Sequence, residues 1–151
     1  MEAPNPPLKI SAVANVAGLS ESWAWKAREQ GVLYEPYSPE DVVALRVYAF
    51  VSQIVWPGVR RPRSARQSLE LWQEAAVAAA REAYTSNTTT PDTAMWVLED
   101  RVRLVTQPWE RAAVDLQVLA GKTAVRIPVG LWIMELPDAL DRRRRGAKSA
   151  A

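Results

Sequence analysis

Apolar and polar positions divide the chain into short helical segments at its start, a long one in its middle and alternating stretches beyond. Met1–Pro7 holds three prolines and predicts an unstructured arm. Ser11 then suits an N-cap, Val13, Ala14, Val16 and Ala17 are small or apolar, and Gly18 stops the segment. Gly18-Leu19-Ser20 reads as a tight turn, with Ser20 capping a second helix from Glu21 to about Gln30 that Gly31 ends. Ser38-Pro39-Glu40-Asp41 combines an N-cap, proline at the first helical position and acids in the first turn. It predicts a third helix to about Val55, with Val42, Leu45, Tyr48, Ala49 and Ser52 on one face.

Trp56-Pro57-Gly58 terminates that helix, and the arginine-rich segment after it reads as a linker. Leu69, Trp72, Ala76, Ala79, Ala80 and Ala83 recur at helical spacing and predict a fourth helix, about Ala65 to Tyr84. Met95–Leu98 and Val102–Val105 flank Glu99-Asp100-Arg101 as a β-hairpin would. Pro108 opens a short helix that Gly121 closes, Thr123 to Ile127 alternates as a strand, and Val129 to Leu140 forms a final helix with Pro137 near its end.

A chain of 151 residues, 48% apolar, has room for one ordinary domain or two small ones. No apolar run approaches the ~20 residues needed to span a bilayer. Met1 to Pro7 lacks the basic start and apolar stretch of a secretion signal, so the expected compartment is the cytoplasm. Cysteine and histidine are both absent, which removes disulfides, thiol nucleophiles, Cys/His zinc sites and imidazole acid–base chemistry. No combination of acid, base and nucleophile assembles from what is left; neither an enzyme nor a cofactor is expected.

The net charge of +2 hides an uneven distribution. Residues 142–151 hold Arg142, Arg143, Arg144, Arg145 and Lys148 without an acid, and predict a basic disordered tail. The rest sums to −3, with Arg60, Arg61, Arg63 and Arg66 as its one basic cluster.

Residues 8–54 resemble the DNA-binding head of MerR-type winged helix-turn-helix regulators. The resemblance rests on Leu8-Lys9-Ile10-Ser11-Ala12-Val13-Ala14, Ala17-Gly18-Leu19-Ser20, Gly31-Val32-Leu33 and Tyr37-Ser38-Pro39-Glu40-Asp41-Val42-Val43-Ala44-Leu45, in that order. The turn needs a residue that tolerates positive φ, which Gly18 supplies, and small residues where two helices cross, supplied by Ala14, Ala17, Ala24 and Ala27. Two departures stand out: Trp25 and Lys26 occupy the places of the family's usual Arg-Tyr pair, and the wing is cut to Val32 through Pro36.

The fold class expected is mostly α with a small α+β part. A winged helix-turn-helix with a shortened wing spans 8–56, a basic linker 57–65, and an α+β dimerisation or sensing domain 66–141. The resemblance implies a sequence-specific binder of double-stranded DNA, a dimeric transcriptional regulator that inserts helix 20–30 in the major groove. Ser20, Ser22, Trp23, Trp25, Lys26, Arg28 and Tyr37 are its candidate contacts, with Arg60, Arg61 and Arg63 holding backbone. Leu69, Trp72, Ala76 and Ala79 are the candidate homodimer seam, with packing inside one chain as the competing arrangement. Trp96, Trp109 and Trp132 are candidate walls of an effector pocket, though such tryptophans are more often core. Two other roles remain open: a plasmid or phage centromere-binding or replication accessory protein, and a protein-interaction adaptor that has lost DNA binding.

Overall fold

The computed structural model describes residues 6–58 and 69–149. Among them are six helices, α1 (Ile10–Val16), α2 (Glu21–Glu29), α3 (Pro39–Ser52), α4 (Leu71–Thr85), α5 (Arg111–Leu119) and α6 (Val129–Ser149). Strands β1 (Ala94–Leu98), β2 (Val102–Val105) and β3 (Ala124–Ile127) form one antiparallel sheet in the order β2-β1-β3.

Lys9, not Ser11, is the N-cap of α1, so Ser11 lies inside the helix. Gly18 and Gly31 take the positive φ values of 73° and 77° that close α1 and α2. The start of α3 follows its local chemistry: the Ser38 backbone N–H donates to Asp41 Oδ2 at 2.7 Å, and the Asp41 N–H donates to the Ser38 carbonyl at 2.9 Å. α3 buries more than the one face expected of it. Val42, Val43, Ala44, Leu45, Val47, Tyr48, Ala49 and Val51 are all buried, as befits a helix enclosed by others. α1, α2, α4 and α6 all pack against it.

The stripe on α4 is covered by the same chain. Trp72, Ala76 and Ala79 are buried at 8%, 0% and 9% exposure, and Leu69 is partly buried against the same core. The seam expected to join two copies therefore packs on α3, β1 and β2 instead. Small alanines at helical spacing permit close approach to any neighbour, and here the neighbour is internal. Trp72 also meets Trp56 edge to face, with ring centroids 5.3 Å apart.

This packing removes the boundary expected between an N-terminal and a C-terminal domain. One apolar cluster runs from Val13 and Leu45 through Ala80 and Met95 to Ile127 and Leu136. Polar groups add a second tie. Arg81 of α4 donates to Val32 O at 2.7 Å, Asp41 Oδ1 at 2.9 Å and Glu40 Oε2 at 2.9 Å. Burial works against this guanidinium's charge, but the two carboxylates outweigh it and raise its pKa.

In the sheet, Met95 and Val97 turn one face of β1 into the common core. Trp96 lies on the other face under the Arg111 guanidinium of α5, which is 4.8 Å from its ring centroid. α5 is attached by little else: Val114 is its one fully buried residue, while Leu116 and Leu119 are 66% and 83% exposed.

Other segments differ from expectation in detail. Residues 32–36, expected as a wing too short for a two-stranded ribbon, form no strand; a single bridge pairs Leu8 with Tyr37. Val32 and Leu33 are buried beneath α2 and α3, which consumes the apolar residues that a projecting ribbon would need. The expected disordered tail is helical through Ser149, because α6 continues past Pro137. Proline there removes one donor, but its exposed ring faces solvent while Leu136 and Leu140 anchor the helix on either side. α4 starts at Leu71; the residues expected to precede it, 65–68, lie outside the described residues.

The base of α6 is seated tightly. The Gly130 N–H donates to the Thr93 carbonyl at 2.8 Å, and a Cβ at Gly130 would collide with the Thr90 carbonyl and lie 2.7 Å from Thr93 O.

Candidate nucleic-acid interface

The surface with most of the candidate residues is α2, and its inner face decides what its outer face can present. Ala24 and Ala27 are fully buried where α2 packs on α1 and α3. Helical geometry then sends Glu21, Ser22, Trp25, Lys26, Arg28 and Glu29 outward, and all six are exposed. Alanines at the crossing keep the helices close, so the larger side chains stand at the rim.

The two tryptophans part company as a two-residue spacing requires. Trp23 leans inward and meets the Tyr48 ring edge to face, with centroids 6.1 Å apart and planes at 81°. Burial raises the pKa of the Tyr48 phenol beneath it. Lys26 lies over the outer face of Trp23, its Nζ 4.9 Å from the ring centroid. Trp25 is 45% exposed. Its indole N–H donates to Glu21 Oε1 at 3.3 Å, and the Arg28 guanidinium lies 5.4 Å from its ring centroid.

Charges on this surface are mixed. Arg28 approaches Glu35 at 3.9 Å, a distance and exposure at which the pair contributes little. Ser20 Oγ and Ser22 Oγ are 2.9 Å apart, and Ser20 makes no side-chain cap. The surface thus offers hydroxyls, one indole edge and two cations, bordered by Glu21, Glu29 and Glu35.

Tyr37 does not join this surface. It is 4% exposed, and its hydroxyl is buried without a hydrogen-bond partner among the described residues. Its extended backbone pairs with Leu8, which turns the ring into the core. Arg60, Arg61 and Arg63 lie outside the described residues.

The three tryptophans considered for an effector pocket stay apart. Trp109 is 76% exposed and lines a cleft of about 490 Å³ with Glu82 and Val102 to Val105. Trp96 lines a separate cleft with Arg111 and Arg126, and Trp132 packs against Phe50 under Arg46, whose guanidinium is 4.0 Å from its centroid. The Glu99-Asp100 turn is tied up by ion pairs: Asp100 accepts from Lys122 at 2.8 Å and from Arg101 at 3.4 Å, and the Lys122 bond is the main cause of its lowered pKa. Among the described residues, no three acidic side chains gather as a metal site would require, and no helix is long and apolar enough to cross a membrane.

Two features of the candidate surface were out of reach of sequence reasoning: the pinning of Trp25 between Glu21 and Arg28, and the shielding of Trp23 by Lys26. The spacings 21/25/28 and 23/26 are the only signal for either. No family model matches the chain, and no curated protein matches it in sequence.

Proposed function

We propose that the protein is a sequence-specific DNA-binding protein, a transcriptional regulator that places α2 in the major groove. One observation carries this reading. The four-residue turn from Ala17 to Ser20, with Gly18 at positive φ, sets α2 across α1 so that Ser22, Trp25 and Lys26 form one solvent-facing row. A helix held at its back by alanines and polar along its front suits a groove lined by base edges and phosphates. In this reading Ser22 and Trp25 meet base edges, Trp25 by apolar contact with a thymine methyl, and Lys26 swings from Trp23 to a phosphate. Arg28 and the Ser20 hydroxyl complete the backbone contacts.

The α4 stripe is internal, so a dimer on an inverted repeat would join through another surface, and the recovered footprint reports how many copies bind. A protein-interaction adaptor is the second reading, favoured by Glu21, Glu29 and Glu35 around the same row. Selection of genomic fragments on the purified full chain, at about 50 and 200 mM salt, separates them. Regulation predicts an enriched motif, and Lys26→Glu weakens binding to it about tenfold at the lower salt. No enrichment at the lower salt rejects DNA binding and leaves the adaptor reading.

A further inference from the structure

We infer that the groove between α1 and the C-terminal third of α6 is a second contact surface for the phosphodiester backbone of duplex DNA. This inference rests on the proposed function, since α2 identifies the nucleic acid whose backbone is held. The groove, of about 670 Å³, is lined by Ser11, Asn15 and Val16 from α1 and by Ala139, Arg142, Arg143 and Gly146 from α6.

Its chemistry is that of an anion site. Two guanidinium groups, a hydroxyl and a carboxamide line it, and no carboxylate does. Ala139, Arg142, Arg143 and Gly146 fall on one helical stripe, where the small residues keep the floor open between the arginines. Arg142 is exposed, Arg143 is half-buried with its Nε shut off from solvent, and no ion pair among the described residues holds either. A planar guanidinium that no carboxylate holds matches phosphate oxygens in geometry as well as charge.

The neighbouring arginines show the contrast. Arg145 pairs with Asp141 at 3.1 Å, and Arg144 lies in a separate groove lined by Asp138 and Asp141. Four consecutive arginines thus divide by helix face: Arg145 is paired, Arg144 shares its groove with two aspartates, and Arg142 and Arg143 face a groove free of carboxylates. The lining includes no aromatic ring on which an unpaired base would stack, which fits a duplex backbone better than a single strand or a free nucleotide. Position agrees as well. α1 packs on both α2 and α6, so one short helix joins the groove to the helix proposed to read DNA.

The test is duplex binding by the full chain, followed by fluorescence anisotropy between about 50 and 200 mM salt, with a selected-site duplex and a scrambled one. Arg142→Gln/Arg143→Gln is expected to weaken both duplexes alike and to flatten the plot of log affinity against log salt by about 1.8, or 0.9 per lost contact. Arg144→Gln/Arg145→Gln removes the same formal charge and is expected to change the slope by less than half as much. Asn15→Glu, on the exposed side of α1, places a carboxylate in the groove with both arginines intact and is expected to weaken both duplexes. It remains informative even where the double arginine variant fails to fold, which circular dichroism reports. An unchanged slope in Arg142→Gln/Arg143→Gln, or an equal loss in Arg144→Gln/Arg145→Gln, overturns the groove while leaving α2 as the reader. A native chain that binds neither duplex at the lower salt overturns both proposals.

Discussion

Trp23 and Trp25 are chemically the same residue two positions apart, and their different partners give them different expected roles. Trp23 packs on Tyr48 and is capped by Lys26, so its loss exposes the α2–α3 contact. Trp23→Ala should lower unfolding free energy by about 2 kcal/mol, below the range for a fully buried tryptophan because the ring is only half-buried. Trp25 is exposed, held between Glu21 and Arg28. Trp25→Ala should stay within about 0.5 kcal/mol of the native stability while weakening binding to a selected duplex about tenfold. Denaturant titration beside anisotropy separates the two. A large stability loss in Trp25→Ala would make it a structural residue and remove the indole from the interface. The sequence specified that the two rings diverge; which one turned inward depended on where Tyr48 lay across the helix pair.

Between elements, Arg81 is a polar tie of long reach. It joins α4 to the first turn of α3 and to the carbonyl that follows α2. Arg81→Met keeps much of the side-chain volume but leaves Asp41, at 6% exposure, with one partner fewer. The expected cost is about 2 kcal/mol, between that of an exposed pair and that of a fully buried one. Chemical denaturation of the variant checks it, and a loss under about 0.5 kcal/mol would show that the apolar α3–α4 contact alone holds these elements. The elements themselves were legible wherever the signal was local. Ser38-Pro39-Glu40-Asp41 marked the start of α3, and Glu99-Asp100-Arg101 marked the β1–β2 turn, because both depend on neighbours in sequence. α6 was not legible past Leu140, because a proline near the expected end and a run of arginines read locally as a stop, while Leu136 and Leu140 anchor the helix in the core. That residues 32–36 carry no strand was not legible for the same reason: burial of Val32 and Leu33 is a tertiary fact.

At the scale of the whole molecule, the two halves share a core. A periodic alanine stripe shows that a helix has an apolar side but says nothing about which chain covers it. Ala76 and Ala80 are both fully buried inside their own chain, and a head ending near residue 56 would leave much of α3 uncovered. The candidate α2 surface was legible because outward polar residues need only a helix and one buried face. The α1–α6 groove was not, because its two walls are more than a hundred residues apart in sequence.

Gly130 acts as a fulcrum. Its backbone sits so close to the Thr90 and Thr93 carbonyls that a methyl group there must push the base of α6 away. Arg142 is about 18 Å along the helix from that point, at 1.5 Å per residue, so a tilt of a few degrees at the base swings the guanidinium by about 1 Å. Gly130→Ala should therefore cost about 2 kcal/mol through overpacking and also flatten the salt dependence of DNA binding, although residue 130 is remote from every phosphate in the proposed complex. An unchanged slope beside the expected stability loss would mean that α1 resets the arm. A changed one would make a residue without a side chain the setting screw for two arginines twelve and thirteen positions further along the helix.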